Sequence, residues 1–190
     1  TAFAAAKDGL GRIDGLFAVA GGSGRRFGDG PLHEIPLEGW TETLALNGRP
    51  AFLAVREAVR SMLDEGGGGS IVLVSSVLAT SPSPELFSTH AYAAIKGAEI
   101  SLASAMAAYY APHGIRVNVI APGLVRTPMS ERAAADPAIV AFAERKQPLV
   151  GGMLEPNQVV PLAAFLLSDD AIAITGQSIA VDGGWSVSGD

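Results

Sequence analysis

The sequence predicts a single α/β domain, residues 1–190, in which helices cover both faces of a parallel β-sheet. Three observations carry that prediction. Apolar runs of strand length alternate with longer stretches of helical spacing along the 190 residues, the pattern of successive βαβ units. The runs are nearly continuous rather than alternating, as in Leu16-Phe17-Ala18-Val19 and Ile71-Val72-Leu73-Val74, which marks strands buried on both faces. A composition that is 48% hydrophobic and 17% charged supplies one substantial core.

Taken in order, residues 15–20 form the first strand. Residues 37–64 then carry Leu44, Phe52, Val55, Val59 and Met62 at helix-like spacing, and the glycine run from Gly66 to Gly69 stops that helix. The second strand spans Gly69 to Val74. An Ala- and Ser-rich helix follows over residues 91–110, with Pro112 and Gly114 as stop signals. Residues 116–121 and 178–181 complete the set of strands, and residues 126–152 are expected to be a variable, mobile loop. No internal repeat or domain boundary interrupts the pattern.

Composition also narrows the function. No apolar run reaches the roughly 18 residues that a spanning helix needs, so no membrane role is expected. A formal charge of −6 without a dense Lys/Arg stripe opposes a phosphate backbone, so no nucleic-acid partner is expected and a small-molecule ligand is. The absence of cysteine removes disulfides, thiolate metal sites and a cysteine nucleophile, and fits a reducing, cytoplasmic location. His33, His90 and His113 are not spaced as metal ligands and read as surface or loop residues; no metal is expected. Residues 1–7 lack the basic start and apolar stretch of a targeting peptide, and the start at Thr1 suggests that an upstream segment is missing.

Chemistry enters at Tyr92 and Lys96, four apart at the start of a helix and therefore about one turn apart on one face. A phenol is a poor acid or base at neutral pH, with an ordinary pKa of about 10, but a fixed ammonium nearby favours the phenolate. On spacing alone, a half-buried aromatic beside a solvated lysine is the commoner reading. The second strand ends in Ser75-Ser76, and ligands of open α/β sheets bind at the carboxyl ends of the strands. Ser76, Tyr92 and Lys96 thus make a candidate proton-transfer constellation, with Ser76 chosen over Ser75 because it stands at the strand end.

These residues carry a family resemblance. Tyr92-Ala93-Ala94-Ile95-Lys96 resembles the YxxxK signature of the short-chain dehydrogenases/reductases. Arg116-Val117-Asn118-Val119-Ile120-Ala121-Pro122-Gly123 is similar to their RVNxxxPG strand and turn, and residues 175–184 to their TGQxxxVDGG strand. Asn47 stands where the family keeps the helix asparagine of its Asn, Ser, Tyr, Lys tetrad. The resemblance implies a partial Rossmann-type, doubly wound sheet, the C-terminal catalytic portion of that fold. It implies NAD or NADP as cofactor and interconversion of a carbonyl and a secondary alcohol. By it, Tyr92 is the general acid or base, Lys96 binds the nicotinamide ribose and depresses the tyrosine pKa, Ser76 positions the substrate oxygen, and Asn47 supports a proton path. Ala20, Gly21, Pro122, Gly123, Val125 and Thr127, with Tyr92 and Lys96, are the implied cofactor contacts. A homodimer or homotetramer through the helices around 52–62 and 91–110 is implied too.

Two departures qualify the match. Ala18-Val19-Ala20-Gly21 replaces the family's NNAG, which predicts weaker ties between this strand and its neighbours. The TGxxxGxG loop and the first βαβ units are absent from these residues, so the strand at 15–20 is expected at an exposed edge and cofactor binding is expected to be weak. An insertion around residues 81–87 is expected between Ser76 and Tyr92. Two other readings remain: an inactive remnant acting as an interaction subunit, and a nucleotidyltransferase, because residues 19–28 also resemble the glycine loop of sugar-phosphate nucleotidyltransferases. The latter need a downstream lysine, and none occurs between Lys7 and Lys96. By analogy the first substrate guesses are a 3-oxoacyl thioester or a sugar or polyol. Met129, Leu149, Met153, Leu86 and Phe87 are candidates for an apolar pocket or for ordinary packing.

Overall fold

The computed structural model describes residues 2–189; Thr1 lies outside them. Four strands, β1 (Gly15–Ala18), β2 (Gly69–Val74), β3 (Ile115–Pro122) and β4 (Ser178–Val181), form a sheet in that order with every neighbouring pair parallel. Helices α1 (Ala2–Leu10), α2 (Leu37–Glu65), α3 (His90–Tyr110), α4 (Glu131–Ala134), α5 (Pro137–Lys146) and α6 (Pro156–Leu167) complete the fold. Successive strand side chains point to opposite faces, so Ile71 and Leu73 of β2 pack with Val55, Val59, Met62 and Met106 of α2 and α3. Val72 faces the other way, onto Val159, Ala163 and Leu166 of α6. Two apolar layers sandwich the sheet, which is why β2 tolerates the continuous run Ile71 to Val74.

The boundaries match the sequence reading where the chain is buried and drift where it is not. β1 stops at Ala18 because Val19 and Ala20 are exposed. It forms one edge of the sheet. α2 closes on Gly66, whose left-handed φ of 67° lets its N–H reach the Met62 carbonyl. α1 was not foreseen; Phe3 packs it on the core, and Lys7 pairs with Glu65 at 2.9 Å, tying it to the end of α2.

Residues 126–152, expected as a mobile loop, instead contain α4 and α5. The Asp136 carboxylate accepts from Ala138 N at 2.9 Å and from Ile139 N at 3.4 Å, capping α5. Ile139, Ala143 and Gln147 are buried, so the segment is packed rather than loose. All three histidines are exposed, as read from the sequence.

Candidate active site

The carboxyl ends of β1, β2 and β3 open onto one cavity of about 480 Å³. Its lining includes Gly21, Ser76, Tyr92, Lys96, Pro122, Gly123, Val125 and Thr127, so one concave surface gathers most of the residues singled out by the sequence. Asn47 sits behind the lining, fully buried. Ala20 does not line the cavity. The extended chain beyond β1 turns Phe17, Val19 and Gly21 inward, and the two-residue period sends Ala20 to the other side.

The two serines divide their labour. The Ser75 hydroxyl donates to the Lys96 carbonyl at 2.7 Å, locking the end of β2 against α3. The Ser76 hydroxyl accepts from Leu78 N at 3.2 Å. Burial pushes the Tyr92 phenol up to about 12; the neighbouring Ser76 hydroxyl opposes this and the nearby Glu99 charge adds to it. Burial, and not Lys96, sets the direction of this shift. Lys96 Nζ lies 5.8 Å from the Tyr92 ring centroid and donates to the Val74 carbonyl at 2.8 Å and to Glu99 at 2.9 and 3.1 Å. A buried carboxylate three residues along the same helix face offsets the ammonium. Burial in turn raises the Glu99 carboxyl, against the pull of Lys96.

Two structural clamps hold the cavity walls. The Asn47 amide donates to the Gly22 carbonyl at 3.0 Å and to the Thr43 carbonyl at 2.9 Å, while its oxygen accepts from Gly22 N at 3.0 Å. Both amide hydrogens are thus used on backbone, and the tie expected to be lost with the NNAG asparagines is supplied from α2. On the opposite wall, Gln147 Nε2 donates to the carbonyls of Leu124 at 3.1 Å and Gly152 at 2.6 Å, and its oxygen accepts from Leu124 N at 2.6 Å. Gly123 N bonds the Val181 carbonyl at 3.0 Å, and Thr127 and Ser130 form a capping box.

Several residues here escaped the sequence reading. Asp29, buried in the loop after β1, accepts from Ala91 N at 2.9 Å and Tyr92 N at 3.0 Å, capping α3 from 62 and 63 residues away, where Thr89 makes no side-chain cap. Its GDGP context gave no local helix signal. Trp185 donates to the Ser81 carbonyl at 3.1 Å and packs edge-on against Phe87 and Phe142, which seats residues 81–87. Phe87 and Met129 line the cavity; Leu86, Leu149 and Met153 do not. Arg25 and Arg132 also line it.

Comparison with known proteins decides the family. The model described as enoyl-(acyl carrier protein) reductase matches residues 1–186, and a 2,5-dichloro-2,5-cyclohexadiene-1,4-diol dehydrogenase of Sphingobium indicum is 36% identical over 82% of this chain. The chain belongs to the short-chain dehydrogenase/reductase family. That alignment covers 61% of the Sphingobium protein, so the chain spans about three fifths of this curated relative. A short-chain type dehydrogenase/reductase from Mycobacterium ulcerans superposes with a TM-score of 0.88 at 33% identity, over 98% of this chain and 65% of that one. A gluconate 5-dehydrogenase from Burkholderia cenocepacia, solved with NADP and tartrate, gives a TM-score of 0.88 at 27% identity, over 99% of this chain and 70% of that one. The sheet and flanking helices are those of the family's Rossmann-type fold. The glycine loop read alternatively as nucleotidyltransferase-like is the family's segment after β1; it turns through Arg25–Phe27 and closes on Gly28. Among the described residues, no helix is long and apolar enough to cross a membrane.

Proposed function

We propose that this chain carries the catalytic site of an NAD- or NADP-dependent oxidoreductase that interconverts a carbonyl and a secondary alcohol. One observation carries the reading: Ser76 and Tyr92 line the same cavity at the carboxyl end of β2, with Lys96 beside them. A substrate oxygen placed between them accepts from both. In reduction, Tyr92 gives its proton to that oxygen; in oxidation it takes one back. A phenol held up near 12 is protonated at neutral pH and so is poised for the reductive direction, and Ser76 fixes the oxygen to be protonated.

The cavity suits the nicotinamide end of a dinucleotide. A β-carbon at Gly21 would sit 2.6 Å from Asn47 Oδ1 and 3.6 Å from Lys96 Nζ, so only glycine keeps that approach open. Gly21 and Lys96 would hold the ribose side, and Pro122, Gly123, Val125 and Thr127 the nicotinamide side. When bound, the nicotinamide supplies or accepts the hydride. The relatives named as diol and gluconate dehydrogenases support an alcohol of the polyol or sugar class. We propose further that α2 and α3 pair with those of a second copy, because Phe52 and Leu53 are exposed and Ala98, Ser101 and Ala105 form an exposed small-residue face. Light scattering at micromolar concentration should return a dimeric or tetrameric mass.

The decisive test titrates the chain with NADH and NADPH, following nicotinamide fluorescence, and then adds a panel of ketones. Saturable binding is expected, and Tyr92→Phe should lower carbonyl-dependent oxidation by about 10²–10⁴-fold at saturating cofactor. A folded chain, saturated with cofactor, that reduces nothing in the panel or keeps its rate in Tyr92→Phe overturns the reading.

A further inference from the structure

The charges around the cavity are one-sided. The protein carries a net charge of −6, yet the ionisable lining residues besides Tyr92 are Arg25, Lys96 and Arg132, with no Asp or Glu among them. Lys96 is neutralised from behind by Glu99. Arg25 and Arg132 have no such partner: among the described residues no carboxylate forms an ion pair with either guanidinium. The nearest candidate, Asp29, spends its two carboxylate oxygens on the N–H groups of Ala91 and Tyr92.

The two arginines come from different elements, Arg25 from the turn after β1 and Arg132 from α4. Both are exposed at the cavity mouth. They are close enough that the Arg132 charge, after burial, holds Arg25 below the ordinary guanidinium range. Arg25 is anchored by one donor on the Leu86 carbonyl at 3.2 Å, which fixes its position while leaving most of its fork available. Two like charges converging on one opening cost free energy unless an anion lies between them, and paired guanidinium forks match a carboxylate better than any neutral group.

We propose that Arg25 and Arg132 form an anion-recognition site at the cavity mouth, and that the alcohol or carbonyl substrate carries a carboxylate. Ser76 and Tyr92 hold the reacting oxygen at the inner end and the arginines hold the acid at the outer end. The apolar wall of Val77, Leu78, Phe87 and Met129 between them suits a short carbon chain. This inference rests on the oxidoreductase reading for the identity of the reacting end, but the anion site itself is testable without turnover.

Trp185 lines the cavity, so in a Trp40→Phe background its fluorescence reports occupancy. Hydroxy acids of four to six carbons, their methyl esters and inorganic phosphate are the probes, titrated against the parent chain, Arg25→Gln, Arg132→Gln and the double variant, with and without NADPH. At least one acid should bind about tenfold or more tightly than its ester, each single variant should remove most of that preference, and the double variant all of it. Added salt should narrow the gap. Acids and esters that bind alike, or a preference that survives the double variant, overturn the proposal, as does a folded chain that binds no acid. Phosphate binding tighter than any acid reassigns the site to a phosphate ester; arginine variants that weaken NADPH alone reassign it to the cofactor. Either outcome overturns the carboxylate. Acid discrimination without redox turnover overturns the oxidoreductase reading and leaves this one standing.

Discussion

The two walls of the cavity are built on the same plan from unrelated stretches of chain. On one, Asn47 from α2 grips both the N–H and the carbonyl of Gly22, and Gly21 abuts its side-chain oxygen. On the other, Gln147 at the end of α5 grips both the N–H and the carbonyl of Leu124, and Gly123 abuts its side-chain oxygen. A carboxamide offers one donor face and one acceptor face, so it can replace the strand partner a backbone residue has lost. The neighbouring glycine lets the chain pass close enough to be gripped. The walls differ in their water: Gly22 is partly open, whereas Gly152, the third partner of Gln147, is buried. The same device thus positions a solvated loop on one side and supports a packed turn on the other.

That difference sets the largest expected effect. Gln147→Leu strands Leu124 N and the buried Gly152 carbonyl, at about 1–3 kcal/mol per unsatisfied group, so urea denaturation should show a loss of about 2–5 kcal/mol. Asn47→Leu strands the partly open groups of Gly22, while the buried Thr43 carbonyl keeps its helical partner inside α2, so it should cost less, about 1–2 kcal/mol. Equal losses, or the reverse order, would break the contrast between the walls.

A middle-sized effect sharpens it. Gly123→Ala places a β-carbon against both Gln147 Oε1 and the Asp182 backbone, a neighbour that cannot swing away, whereas at Gly21 the obstacle is the Asn47 side chain. Gly123→Ala should therefore weaken NAD(P)H binding by the greater factor, about tenfold or more if even 1.4 kcal/mol of approach is lost. Fluorescence titration of the two variants side by side gives the ranking directly.

The smallest effect concerns the floor between the walls. Glu99 raises the Tyr92 pKa and holds Lys96. The sign follows: Glu99→Gln removes a negative charge, the phenolate becomes easier to form, and the Tyr92 pKa falls. Alcohol oxidation, which uses the phenolate, should then gain activity at lower pH, its acid limb moving down by about one unit or less at the effective dielectric of a protein site. A pH–rate profile that stays in place would show that the Glu99 charge does not tune Tyr92. Because a broken buried pair is destabilising, the fold of this variant is checked by circular dichroism.

Much of this was legible in the sequence, for reasons tied to particular residues. Continuous apolar runs announced β1 and β2, and the Gly66 stop announced the end of α2, because burial and backbone permissiveness leave local marks. Tyr92 and Lys96 were legible because their spacing is a helix turn, and Ser76 because it follows a strand. Asn47 was found only through resemblance. Asp29, Glu99, Arg25, Arg132 and Gln147 were not found at all. Glu99 had the signal, three residues from Lys96, but a carboxylate at that spacing normally reads as an exposed pair.

The sequence by itself determined the alternation of strands and helices, the parallel sheet and the helix that presents Tyr92 and Lys96, since each depends on periodicity and on neighbours within a turn or two. Only the tertiary structure decided which polar groups meet. Asp29 caps α3 across 62 residues, Glu99 diverts Lys96 because both are sealed from water, and Arg25 and Arg132 face one cavity because the turn after β1 and α4 both border it. Charges and hydrogen bonds act over a few ångströms of space, whatever their separation along the chain, and no local pattern records those distances.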